Sequence, residues 1–276
     1  MKPVCLVIGA GAGIGGNVAR RFARDGHHAV LCRRRDQEGL DKLVGVIEAD
    51  GGTASGHLLD AVAAGSIEGL VEAVEKDTGP IDVAVYNLGA QIGNTGLKAF
   101  EMGWRLATFG LFRLARALCP RMEERGHGTL LVTSATAAMR GNAGQHSHAA
   151  AMGGRRLLCQ TLNAEYGPKG IHVAHIVVDG AVDAPDTLGK MLGPERYQQL
   201  REARGLEHDG LLLPDKIADT FWHVAQQHRS VWTHELDLRP FSDSPWWNGG
   251  SVTTPRRPCR RSYIRQRRCT WRSQAP

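Results

Sequence analysis

The chain has 276 residues, 42% hydrophobic and 22% charged, which is ordinary globular usage and excludes a disordered polymer. No apolar run approaches the ~20 residues of a membrane-spanning helix, and the start turns glycine-rich too early for a secretory leader. The net charge of +6 is local: eight Arg with no Lys or acid lie from Ser251 onward, leaving 26 basic against 28 acidic residues before them, so overall charge does not argue for nucleic-acid binding.

In chain order, Val4–Ile8 reads as a buried strand, Gly9–Gly16 as a turn and Asn17–Asp25 as a helix. Ala29–Cys32 is a second strand, followed by a helix near Glu38–Ala49. Ala54–Leu59 is a third strand, Ile67–Asp77 a helix and Ile81–Tyr86 a fourth strand. Phe100–Arg125 is long enough for one major helix. Thr129–Thr133 is a fifth strand, His148–Tyr166 a second long helix and Val173–Val178 a sixth strand. Strands alternating with helices imply a parallel sheet with helices on both faces, hence an α/β, three-layer doubly wound fold of about seven strands. Asp183–Leu213, punctuated by Pro and Gly, reads as a lid. Pro214 and Asp215 open a helix to about Gln227, and Leu236–Leu238 is a last short strand. Residues 1–248 are therefore expected to form one dinucleotide-binding domain. Residues 249–276 are expected to be an Arg-rich disordered tail.

Cys5, Cys32, Cys119, Cys159, Cys259 and Cys269 form no C-x-x-C pair, and the first four sit in or beside apolar segments. They read as reduced, buried thiols of a cytoplasmic protein. His172 and His175 point to opposite faces of a strand, so no metal site is expected. His27-His28 reads as a surface turn. Trp222, Trp232, Trp246 and Trp247 read as core and subunit-contact residues rather than a stacking platform.

Gly9, Gly11, Gly13, Ile14, Gly15 and Gly16 follow a strand and open a helix. That is the context in which a glycine turn lets backbone approach a pyrophosphate and a helix N-terminus receive it. The second strand ends at Cys32-Arg33-Arg34-Arg35. An NAD site would place a carboxylate here for the ribose 2′-hydroxyl, whereas guanidinium groups suit a 2′-phosphate. NADP is therefore expected over NAD, with Arg33 and Arg34 as its readers.

The turn Gly9-x-x-x-Gly13-Ile14-Gly15, Asp60 after the third strand and Asn87-Leu88-Gly89-Ala90 after the fourth resemble the short-chain dehydrogenase/reductase family over roughly residues 4–182. The resemblance implies a Rossmann fold, NAD(P)-dependent interconversion of alcohols and carbonyls, and a dimer or tetramer built on the two long helices. It implies that Asp60 bonds the adenine, although a helix N-cap explains Asp60 equally well. It also implies that Asn87 and Gly89 line the adenine ribose.

The positions of the family's proton machinery differ. The family's Tyr falls on His148, its Lys (four residues later) on Met152 and its helix Asn on Ala107. Only Ser134 survives, one residue further from His148 than the family spacing. The Pro-Gly after the sixth strand becomes Asp179-Gly180, and the Thr beyond it becomes Asp183, which reads as a solvated loop residue. An imidazole exchanges protons near neutral pH unaided. His148 is thus the candidate proton donor, with Ser134 polarising a carbonyl and His146 a weaker candidate. The expected activity is NADP-dependent reduction of a carbonyl, oxidation of an alcohol, or reduction of an activated C=C bond. The alternative is a dinucleotide-binding protein without catalysis, acting as a sensor or structural subunit. A third reading gives the Arg-rich tail a polyanion partner.

Overall fold

The computed structural model describes residues 2–90, 92–93, 96–243 and 245–247. The expected Arg-rich tail, with Cys259 and Cys269, lies outside them, as does the expected domain boundary at Asn248. The strands are β1 (Val4–Ile8), β2 (His28–Arg33), β3 (Thr53–Leu58), β4 (Ile81–Tyr86), β5 (Gly128–Ala135), β6 (Ile171–Val178) and β7 (Glu235–Leu238). These seven form one sheet in the order β3-β2-β1-β4-β5-β6-β7, and every pairing is parallel.

Parallel strands need crossovers, and here helices supply them on both faces. The helices are α1 (Ile14–Arg24), α2 (Gln37–Ala49), α3 (Ser66–Asp77), α4 (Leu97–Trp104), α5 (Gly110–Arg125), α6 (His146–Tyr166), α7 (Lys190–Leu192), α8 (Pro194–Arg204) and α9 (Pro214–Ala225). The two-residue period of β1 divides it between two cores. Val4, Leu6 and Ile8 join a cluster with residues of α3, α5 and α6. Cys5 and Val7 join a second cluster with residues of α1, α2 and α9. All five are 0–1% exposed, which is why β1 is apolar throughout rather than alternating. The result is the expected three-layer Rossmann architecture.

The sequence suggested one helix over Phe100–Arg125. The structure instead has α4 and α5 joined by a π-helical turn, Arg105–Phe109. A π turn carries one extra residue, so carbonyls leave the regular ladder and take other donors. Tyr86 Oη donates to Leu106 O at 2.5 Å, and Arg155 donates to Ala107 O. The Pro/Gly-rich segment after β6 is more ordered than its composition suggested. It holds a π turn at Pro185–Gly189, then α7 and α8, and its Val182 bridges Leu212.

His27 is not a surface residue. It is 6% exposed, edge-on to Phe22 and Trp222 at 5.3 and 5.8 Å, because the residue after Gly26 turns its side chain under α1. His172 and His175 do diverge. His172 stacks on Trp232 at 4.9 Å, and His175 bonds Glu235 at 3.0 Å on the other face. Cys5, Cys32, Cys119 and Cys159 are buried free thiols, and burial pushes each thiol's pKa up. Among the described residues no helix is long and apolar enough to cross a membrane.

Candidate functional site

The strand order reverses between β1 and β4, so the loops leaving their carboxyl ends part and leave a crevice. The glycine turn sits there. Gly9 and Ala10 N–H donate to Cys32 O at 2.9 Å, and Gly16 N–H donates to Gly11 O at 2.8 Å. Gly9 has φ +102°, and a Cβ on it would lie 2.9 Å from the Asn87 carbonyl carbon and oxygen. A Cβ on Gly15 would meet Gly9 O, with Asn87 Nδ2 3.0 Å away. Both positions therefore require glycine. Asn87 Nδ2 closes the arrangement by donating to Gly9 O at 2.9 Å. Helix α1 then opens at Ile14 with no side-chain cap, which leaves the N–H groups of Ile14 and Gly15 for an anion.

Beside this turn lies a cavity of about 250 Å³ lined by Ile8, Gly9, Cys32, Arg33, Leu88 and Leu106, among others, including Arg34. Apolar walls with guanidinium groups on one rim suit a flat heterocycle with a phosphate at its edge. Arg33 Nη2 pairs with Asp36 Oδ2 at 3.1 Å, while Arg34 has no ion-pair partner among the described residues. Asp36 also caps α2 by accepting from Gly39 N–H at 2.8 Å, at a φ of +75°. Asp60 Oδ1 accepts from Val62 N–H at 3.2 Å, and its carbonyl accepts from Ser66 Oγ at 2.7 Å. Its carboxylate thus shapes the turn into α3, with Leu59 and Ala61 on either side of it lining the cavity. Around Gly89 there is open space. A nicotinamide dinucleotide fits this donor set: glycine cradle, uncapped helix start, heterocycle cavity and basic rim.

The second part of the site is a pocket of about 290 Å³ at the ends of β5 and β6. Thr136, Arg140, Asn142, Gln145, His148 and Asp179 supply its polar lining. His148, on the first turn of α6, is 8% exposed, and its Nδ1 lies 3.2 Å from Ala90 O. A carbonyl only accepts, so Nδ1 carries the proton and Nε2 is the acceptor in the neutral ring. Burial, with Arg155 adding to it, holds the imidazole below its usual range despite the Ala90 bond. Ser134 is 5% exposed, and its Oγ lies 3.9 Å from Met152 Sδ. His148 lines the pocket, whereas Ser134 does not; it lies on β5 immediately before the lining residues Ala135 and Thr136. His146 is exposed at the helix start.

Asp183 is not a solvated loop residue. Its carboxylate accepts from Tyr197 Oη, and Arg201 Nε lies 3.2 Å from it. Its side chain is 11% exposed. These contacts tie the segment after β6 to α8. The next residue, Ala184, lies 3.1 Å from where a Cβ on Gly13 would be, so this segment packs over the glycine turn. Asp179 replaces the expected Pro and accepts from Thr136 Oγ1 at 2.6 Å and from Trp246 N–H at 3.1 Å. Trp246 also bonds Asp237, while Trp247 is 57% exposed against Arg239.

Sequence reasoning missed Arg155, which is 1% exposed. A signal was available. Ala151, Met152, Arg155, Cys159 and Leu162 recur at three- and four-residue intervals on one buried face of α6, and one of the five is an arginine. The pocket wall of Arg140, Asn142 and Gln145 was also missed, because loop residues show no periodicity.

The family model for short chain dehydrogenase matches residues 3–189. The short-chain reductase protein NovJ of Streptomyces niveus is 32% identical over 241 residues, covering 85% of this chain and 91% of NovJ. A short-chain dehydrogenase from Rhodopseudomonas palustris superposes with a TM-score of 0.71 at 30% identity, covering 87% of this chain and 99% of that one. An alcohol dehydrogenase from Thermococcus sibiricus, solved with 5-hydroxy-NADP, is alike in fold, with a TM-score of 0.74 at 24% identity, covering 88% of this chain and 98% of that one.

Proposed function

The chain belongs to the short-chain dehydrogenase family of oxidoreductases, and from that premise we propose that it is an NADP-dependent reductase or dehydrogenase acting on a carbonyl or alcohol, or on an activated C=C bond. The observation that carries this reading is the glycine turn locked to Asn87 beside the cavity rimmed by Arg33 and Arg34. Gly9, Gly13, Ile14, Gly15, Asn87 and Gly89 would hold the dinucleotide, Arg33 and Arg34 its 2′-phosphate, and Asp60 the edge of the adenine cavity. The bound nucleotide supplies or accepts the hydride.

The rest falls to this chain's side chains. In alcohol oxidation, neutral His148 takes the hydroxyl proton at Nε2, while its Nδ1–H stays on Ala90 O. In carbonyl reduction, the imidazolium returns that proton from Nε2. Among the described residues Ser134 Oγ meets only a thioether, so its hydrogen is available to a substrate oxygen. The segment Asp183–Leu213, held by Tyr197 and Arg201, acts as the cover that excludes water. An exposed aromatic strip of Trp104, Phe109 and Phe112 runs from the end of α4 through the π turn into α5 and supports a homodimer through the long helices.

Titration with NADPH and NADH, followed by nicotinamide fluorescence, tests the cofactor assignment. Preference for NADPH is expected. Failure to bind either nucleotide would overturn it, and the non-catalytic dinucleotide-binding alternative with it; tight NADPH binding without turnover on any carbonyl or alcohol would instead favour that alternative.

A further inference from the structure

Arg155 is a buried cation with no carboxylate partner among the described residues. Its guanidinium is satisfied by three backbone carbonyls. Nε and Nη2 donate to Ala107 O at 3.0 and 2.6 Å, Nη1 donates to Thr133 O at 2.5 Å, and Nη2 also donates to Leu88 O. The face of the Tyr86 ring lies 5.4 Å away. Burying a charge without a counter-ion is costly, and a neutral side chain would fill the space more cheaply. The three carbonyls are informative. Thr133 precedes Ser134. Leu88 lies two residues before Ala90, which holds His148 Nδ1. Ala107 lies within the π turn. On α6, Arg155 follows His148 by seven residues and Met152 by three, so it shares their face.

We propose that Arg155 is the positioning residue of this site: it fixes the Ser134 strand end, the Ala90 loop and the π turn around one guanidinium, and it places the site's permanent positive charge on the same buried face of α6 as His148, two turns along. The proposal rests on the reading of His148 and Ser134 as the reacting groups. The charge opposes formation of the imidazolium and favours negative charge developing on a substrate oxygen. Other charged groups lie on the elements around His148. Arg140 and Asp179 are on the pocket wall, Arg140 bonding Trp246 O and Asp179 held by Thr136 and Trp246 N–H. On α4 and the π turn, which pack against α6, Lys98, Glu101 and Arg105 are the charged residues, and Arg105 and Glu101 pair at 3.9 Å. Arg155 alone of these is fully buried.

The test is a histidine-ring NMR titration of the full chain and its Arg155→Gln and Arg155→Lys variants, with turnover measured in parallel. In Arg155→Gln the charge is gone, and the His148 midpoint should rise by about half a pH unit or more. In Arg155→Lys the charge remains but the fork is lost. Its midpoint should stay near the parent's while kcat falls about tenfold or more and nucleotide KM changes little. A folded Arg155→Gln protein with the parent's midpoint overturns the proposal. If Arg155→Gln does not fold, Arg155→Lys decides, and unchanged kcat overturns it. His148→Phe separates the two claims. If its turnover matches the parent's, the role of His148 in the proposed function fails, whereas the NMR midpoints test the Arg155 charge without using turnover.

Discussion

Asn87 Nδ2 donates to Gly9 O at 2.9 Å, joining residues 78 positions apart across the point where the strand order reverses. This bond holds the carboxyl ends of β1 and β4 at one separation, and the glycine turn and the heterocycle cavity are both built on that spacing. Removing the amide should therefore disturb nucleotide binding more than folding. Asn87→Ala is expected to lower stability by about 1 kcal/mol and to weaken NADPH binding about tenfold, which is about 1.4 kcal/mol. Denaturant melts and fluorescence titration of the same variant check the two effects.

Arg33 does not stand free beside the cavity, because Asp36 holds it at 3.1 Å. Arg33→Asp should shift preference from NADPH toward NADH, since a carboxylate repels a 2′-phosphate and accepts from a 2′-hydroxyl. Asp36→Ala removes the cap of α2, costing about 1 kcal/mol, yet should leave the preference for NADPH intact. The ratio of the two dissociation constants decides both.

The proton affinity of His148 is lowered chiefly by burial. Neutral imidazole therefore predominates at pH 7 and is the form that accepts a proton. Alcohol oxidation should rise with pH through a midpoint below 6.5 and then level off, while carbonyl reduction should fall across the same range. His148→Phe should cost about tenfold or more in turnover and abolish that midpoint. Initial rates in both directions from pH 5 to 8 provide the check.

His175 is fully buried, bonded to Glu235 through Nδ1, and burial pushes its pKa down to about 4. A histidine that is harder to protonate when folded contributes stability that is complete above its unfolded value near 6.5. That contribution is lost as pH falls from there toward 4. The loss is expected to be about 3 kcal/mol between pH 7 and pH 4. Urea unfolding at the two pH values measures it, and His175→Gln should show a visibly smaller loss.

Trp104 and Phe109 stack at 5.6 Å, and Phe112 lies 6.3 Å from Phe109, yet all three remain more than a third exposed. Such a strip on one helix layer is what a subunit contact covers. If the proposed homodimer forms through this strip, Phe112→Glu should yield monomer at micromolar concentration without loss of secondary structure. Sedimentation and circular dichroism on one sample are sufficient to read this.

The alternation of strands and helices was legible in the sequence because both cores are built from runs whose periods are local. Val4–Ile8 is apolar at every position since both faces of β1 are covered, and α1 carries its buried residues at helical spacing. The glycine turn was legible for a similar reason. Gly9 and Gly15 are required by their immediate backbone, and the signal is confined to seven residues. Tertiary structure alone decided what depends on distant partners. The π turn exists beside Tyr86 and Arg155, which claim its carbonyls from 20 and 48 residues away. Asp183 is held by side chains 14 and 18 residues later in α8. His27 is buried because Trp222 closes over it. In α6, sequence showed an arginine on an apolar face, but only the assembled sheet supplied the three carbonyls that make a buried guanidinium tenable there. Local periodicity determines which elements form, whereas the fate of a buried polar group depends on hydrogen-bond partners that only the folded chain brings within reach.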